Sequence, residues 1–128
     1  MSLHKIEKQY LLGSELSEDA LILARAIYNT YIQDNKNLYM RIKLSKIEAL
    51  LEIPVYLDTV RQVTQILEEI NEPIGVKNFK FYAKEYPLRF LVFCSYEFDN
   101  DEIEIYVSEE FLFAEEEYMI DNFLTKQR

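Results

Sequence analysis

The sequence predicts an α+β domain, and three observations predict it. Apolar residues recur at helical spacing over 17–33 and again over 55–71. Between and after these stretches the pattern turns to alternation, or to nearly continuous aromatic and β-branched runs, over 38–44 and 76–107. Breakers are scarce, with two glycines and three prolines in 128 residues, so most of the chain is free to sit in regular elements. A hydrophobic share of 49% and an aromatic share of 14% are those of an ordered chain, and its length is one domain's worth, residues 1–128.

In SEDALILARAIYNTYIQ, Ser17 is placed to cap a helix, Glu18 and Asp19 face its positive start, and positions 20, 23, 24, 27, 28 and 31 form an apolar stripe. After the polar turn DNKN, Leu38, Met40, Ile42 and Leu44 alternate with Tyr39, Arg41 and Lys43, the period of a short strand. SKIEALLEI opens with Ser45 and Glu48 in capping-box spacing and stops at Pro54. In VYLDTVRQVTQILEEIN, Asp58 is the expected cap, and Val60, Val63, Leu67 and Ile70 line one face, after a turn of about four residues. VKNFKFYAKEYPLRFLVFCSYEF reads as two β-rich runs joined around KEYP, the second of them apolar on both faces over 88–96. EIEIYV turns Ile103, Ile105 and Val107 inward, and EEFLFAEEEYMIDNFL is expected to close the domain as an amphipathic helix striped by Leu112, Glu116, Met119 and Phe123. The expected core is Leu23, Ile27, Leu44, Leu50, Val63, Leu67, Phe81 and Phe90.

Helix, strand, helix, turn, helix and hairpin, in that order, describe a winged helix-turn-helix with a β-hairpin wing and flanking helices. From Ala20 to Phe113 the chain resembles the N-terminal winged-helix half of plasmid replication initiator (Rep) proteins. The residues that carry the resemblance are a long helix ahead of IKLSKIEALLEI, the EIN-type ending of the next helix at Leu67 to Asn71, and a hairpin leading into SYEFDNDEIEIYVSEEF. In that family the first half is implicated in dimerisation with a share of DNA contact. The resemblance therefore implies a DNA-associated protein of a plasmid, phage or mobile element, acting in replication or its control.

Charge is distributed unevenly. Glu97 to Arg128 hold 11 of the 23 acidic residues and 2 of the 14 basic ones, so the whole formal charge of −9 resides in the last quarter. Nucleic-acid contact must come from a local patch. The helix that starts at Asp58 presents Thr59, Arg61, Gln62 and Gln65, types that reach base edges or phosphates, and the hairpin adds Lys77, Lys80, Lys84 and Arg89. The acidic segment 97–121 admits three readings: a solvated face, a shield against non-specific DNA, or a phosphate mimic that occupies a basic channel on a host protein. The two-faced apolar run 88–96 and the 18 aromatics point to a homodimer.

Catalytic chemistry finds little purchase, and no enzyme, metal or cofactor is expected. His4, the sole histidine, falls in the N-terminal stretch expected to be loose, so no Ser-His-Asp, Cys-His or zinc arrangement is expected. Gly13 and Gly75 stand alone, far from a phosphate-binding loop, and the carboxylates of 97–121 lack the spacing of a calcium loop. Cys94 is alone, which excludes an internal disulfide, and VFCSY marks it as a buried strand residue. No apolar run reaches the roughly 18 residues of a membrane span, and MSLHKIEKQ lacks the apolar stretch of a signal peptide, so a cytoplasmic protein without membrane contact is expected.

Overall fold

The computed structural model describes residues 10–12, 16–54, 57–114 and Leu124. Among these residues the chain is a mixed α+β fold, with three α-helices and two three-stranded antiparallel sheets. Helix α1 covers Glu18–Gln33. Ser17 caps it, its hydroxyl oxygen accepting from the Ala20 N–H at 3.3 Å, and all six residues of the expected stripe are buried.

Strand β2 (Tyr39–Lys43) follows, then helix α2 (Leu44–Leu51) and helix α3 (Thr59–Ile70). Here the expected capping box does not form. Helix α2 starts two residues early, with Lys43 at the cap position and no side-chain cap, because the Leu44 N–H donates to the Asp101 carbonyl at 2.8 Å. A backbone partner from a distant turn replaces the local one, and Glu48 is released to accept from the Thr59 hydroxyl. Helix α2 ends where Glu52 takes a left-handed conformation at φ 54°. The connection to α3 spans 52–58, longer than the sequence suggests, and Asp58 caps α3 as expected by accepting from the Arg61 N–H.

Beyond α3, β3 (Ile74–Phe81) and β4 (Lys84–Leu91) form a hairpin whose two-residue turn is Tyr82–Ala83 rather than KEYP. Tyr82 takes φ 55°, the positive value such a tight turn needs, and Lys84 to Pro87 continue into the strand. Strand β1 (Tyr10–Leu12), which no sequence signal announces, pairs with the other side of β3. The run 88–96 is not one strand. It breaks at Val92–Phe93 between β4 and β5 (Cys94–Asp99), which belong to different sheets, and that change of sheet explains why the run looks apolar on both faces.

Strands β5 and β6 (Glu102–Val107) make a second hairpin across Asn100–Asp101, and β2 pairs with β6. Thus the strand between α1 and α2 joins this second hairpin and not the one that follows α3. Ile103, Ile105 and Val107 face inward as the alternation predicts. A 3₁₀ turn over Glu109–Leu112 follows β6; residues 115–123, on which most of the expected last helix falls, lie outside the described residues.

One apolar core collects side chains from all three helices and both sheets, with Phe111 of the 3₁₀ turn and Leu124 added to it. Of the expected core, Leu23, Ile27, Val63 and Leu67 are buried, while Leu44 and Phe81 pack against the core half-buried. Leu50 and Phe90 are corrections: 43% and 64% of their surfaces are exposed. Leu50 belongs to the outer side of the short α2, whose buried residues are Ile47 and Leu51, and Phe90 pairs with Gly75 on the opposite face of the sheet from buried Leu91.

Candidate nucleic-acid interface

Residues Thr59 to Gln65 are placed by the start of α3. Asp58 satisfies the N–H of Arg61 at 3.3 Å, and the Thr59 hydroxyl donates to Glu48, so cap and side chain together tie α3 to α2. At the far end Glu69 accepts from both the N–H and the hydroxyl of Ser17, at 2.6 and 2.8 Å, which docks α3 on the start of α1 and places a carboxylate at that helix's positive pole. Helix α3 is therefore held at both ends. Arg61 and Gln65 are exposed and lie one helical turn apart; Gln62 is half-buried, and Thr59 is half-buried and engaged with Glu48. Exposed Glu68 follows on the side of Arg61, two turns along.

The hairpin carries the remaining four residues, and neighbours engage them. Lys80 pairs with Glu85 across the ladder at 3.5 Å, an exposed pair of small energetic weight. Lys84 lies over the Tyr86 ring at 5.5 Å. Arg89 is half-buried, its guanidinium 4.5 Å from the Tyr86 ring centre and 5.1 Å from that of Phe81, and it pairs with Glu110 of the 3₁₀ turn. Donation to Glu110 raises the Arg89 pKa further above its ordinary value. Lys77 is half-buried in β3. The two groups are carried by different packing units, since α3 packs chiefly on α1 and α2 whereas the hairpin packs chiefly on β1.

A second polar surface lies on the outer face of the β2–β6–β5 sheet. Arg41 reaches Asp99 at 3.0 Å, Glu102 at 2.9 Å and Glu104 at 2.8 Å, and Tyr39 donates to Glu104 at 2.9 Å. Hydrogen bonds to Tyr39, Asp99 and Glu102 all raise the Arg41 pKa. Tyr39 is itself raised: the bond from Arg41 lowers its pKa, and burial together with Glu104 outweighs that. Three carboxylates thus converge on one guanidinium, and Glu97 stands across the ladder from Glu104 as a fourth on the same face. The sequence signal for this face is the Asn-Asp pair between two alternating runs, which marks a hairpin and fixes which charges face one another.

Burial drives the Cys94 thiol up to about 12, against an Asn71 interaction that lowers it, so the thiol stays protonated. Among the described residues, no group of three or more His, Cys, Asp or Glu side chains is arranged to hold a metal ion, and no helix is long and apolar enough to cross a membrane. No protein-family model, curated protein or solved structure matches the chain.

Proposed function

We propose that this chain is a DNA-associated protein of a plasmid, phage or similar mobile element, of winged helix-turn-helix type, which contacts duplex DNA through the start of α3 and pairs with a second copy through the outer face of β4. The observation that carries the reading is the exposed pair Arg61 and Gln65, one turn apart on a helix anchored at both ends and followed directly by a β-hairpin. Arg and Gln hydrogen-bond to base edges and phosphates, and a helix held rigidly by its caps presents them in one geometry. With Lys80 and Arg89 engaged by Glu85 and Glu110, the contact is small and its salt dependence shallow. Fluorescence anisotropy of a labelled duplex at two salt concentrations tests this. Arg61→Ala is expected to weaken binding by roughly 1–3 kcal/mol and to reduce the salt slope by about one. Absence of binding at low salt contradicts the reading.

A second reading is favoured by the carboxylates Glu97, Asp99, Glu102 and Glu104 on one sheet face. There the chain is an acidic protein-binding module, or a DNA mimic that inhibits a host enzyme, and its complex with a basic protein forms more slowly as salt rises while duplex DNA does not bind.

A further inference from the structure

The 3₁₀ turn and the residue after it are docked on the tip of the β3–β4 hairpin. Tyr82, in the hairpin turn, donates its hydroxyl to Glu109, which raises the tyrosine's pKa. Arg89 donates to Glu110 while its guanidinium rests on Phe81 and Tyr86. Phe113 completes the contact, with its ring centre 5.0 Å from that of Phe81 and 4.8 Å from that of Tyr82. An aromatic floor with a guanidinium on it and an anion against that guanidinium is the arrangement by which a hairpin arginine would hold a phosphate, and here a carboxylate of the same chain occupies the anion's place.

The turn is fixed in position, so its occupancy of the hairpin is built in. Phe111 is buried, 5.2 Å from Phe93 in an edge-on contact, and its carbonyl accepts from the Tyr31 hydroxyl at 3.4 Å. Just before it, the Ser108 N–H donates to the Phe93 carbonyl at 2.9 Å and the Ser108 hydroxyl to that of Val92. With the backbone anchored on both sides of Glu110, only side-chain rotation is needed to exchange Glu110 for another anion at Arg89. We infer that the turn makes an autoinhibitory contact, in which Glu110, with Glu109 fastened to Tyr82 beside it, is an internal anion that holds the hairpin's arginine and competes with DNA phosphate for it. The inference rests on the DNA reading above and adds to it a reason for the hairpin to contribute little in the resting chain.

The test is duplex affinity and its salt slope for the full chain, for Glu109→Gln/Glu110→Gln, and for the same double variant with Arg89→Gln. Glutamine keeps the size and accepting oxygen of each side chain, and circular dichroism checks the fold. The double variant is expected to bind roughly five- to tenfold tighter at low salt, with a slope steeper by about 0.9, the value of one added phosphate contact. Adding Arg89→Gln is expected to remove that gain. A gain that persists without Arg89 overturns the inference, because it reports bulk charge and no competition at this site. An unchanged double variant alongside a weakened Arg61→Ala also overturns it and leaves the DNA reading standing. Failure of both the wild-type chain and the double variant to bind duplex overturns the two together.

Discussion

Leu67 and Leu50 show how far a single residue's fate can be read from spacing. Both lie on apolar stripes of the sequence, yet Leu67 is fully buried in the core while Leu50 has 43% of its surface exposed. The reason is the face each occupies: Leu67 shares the buried side of α3 with Val63 and Ile70, whereas the buried side of α2 is set by Ile47 and Leu51, one turn apart, and Leu50 falls beside it. Leu67→Ala is expected to cost about 2–5 kcal/mol in urea unfolding, and Leu50→Ala less than about 0.5 kcal/mol. Cys94 makes a second residue-level test. Its folded pKa, near 12, lies above the ordinary 9.0, so the folded state holds the thiol proton more tightly than the unfolded one. Its contribution to stability is therefore complete below about pH 9 and is lost as pH rises toward about 12. Urea midpoints measured from about pH 8 to pH 11 should fall less in Cys94→Ala than in the wild-type chain, once the two are aligned at neutral pH. The sequence already marks Cys94 as a buried strand thiol, because aromatic and apolar residues surround it in VFCSY.

Strand β3 shows what an alternating pattern leaves unsaid. Ile74 and Val76 are buried, but the next buried residue is Phe79, so the inward phase slips by one. The slip falls at Asn78, which takes φ 57° opposite Pro87, at the one rung of the hairpin ladder where no residues pair. Proline offers no N–H to the ladder, and asparagine tolerates the left-handed region better than most residues. Asn78→Val, which places a β-branched residue there, is expected to destabilise the chain by roughly 1–3 kcal/mol, read as a lower urea midpoint. Helices were more legible than strand pairings for a physical reason. A helix closes its own hydrogen bonds and shows its buried face within one segment, whereas sheet partners are chosen over long separations. The pairing of β2 with β6 and of β1 with β3, and the division of 88–96 between two sheets, depend on such distant choices.

Across the molecule, charge and exposed apolar surface point in different directions. The first 96 residues balance in formal charge, the last 32 carry the net −9, and the described carboxylates among them are partly spent on Arg41, Tyr82 and Arg89. The candidate interface was legible as residue types on α3, but not as ion pairs on the hairpin, because Lys80–Glu85 needs the turn placed at Tyr82–Ala83 and Arg89–Glu110 needs the 3₁₀ turn brought across to β4. On β4 and just beyond it, Leu88, Phe90 and Val92 are exposed at 42%, 64% and 44%, which makes this the face proposed for pairing of copies. Sedimentation at tens of micromolar is expected to show a dimer that Phe90→Ser weakens; a monomer at that concentration removes the pairing from the proposal. Amide chemical-shift mapping of the whole chain titrated with a short duplex asks where DNA sits. Shifts concentrated on residues 59–65, with the β5–β6 hairpin unmoved, are the expected result. Shifts confined to the β5–β6 hairpin, or none at α3 when duplex is in excess, would contradict the assignment of α3 as the DNA-contacting helix.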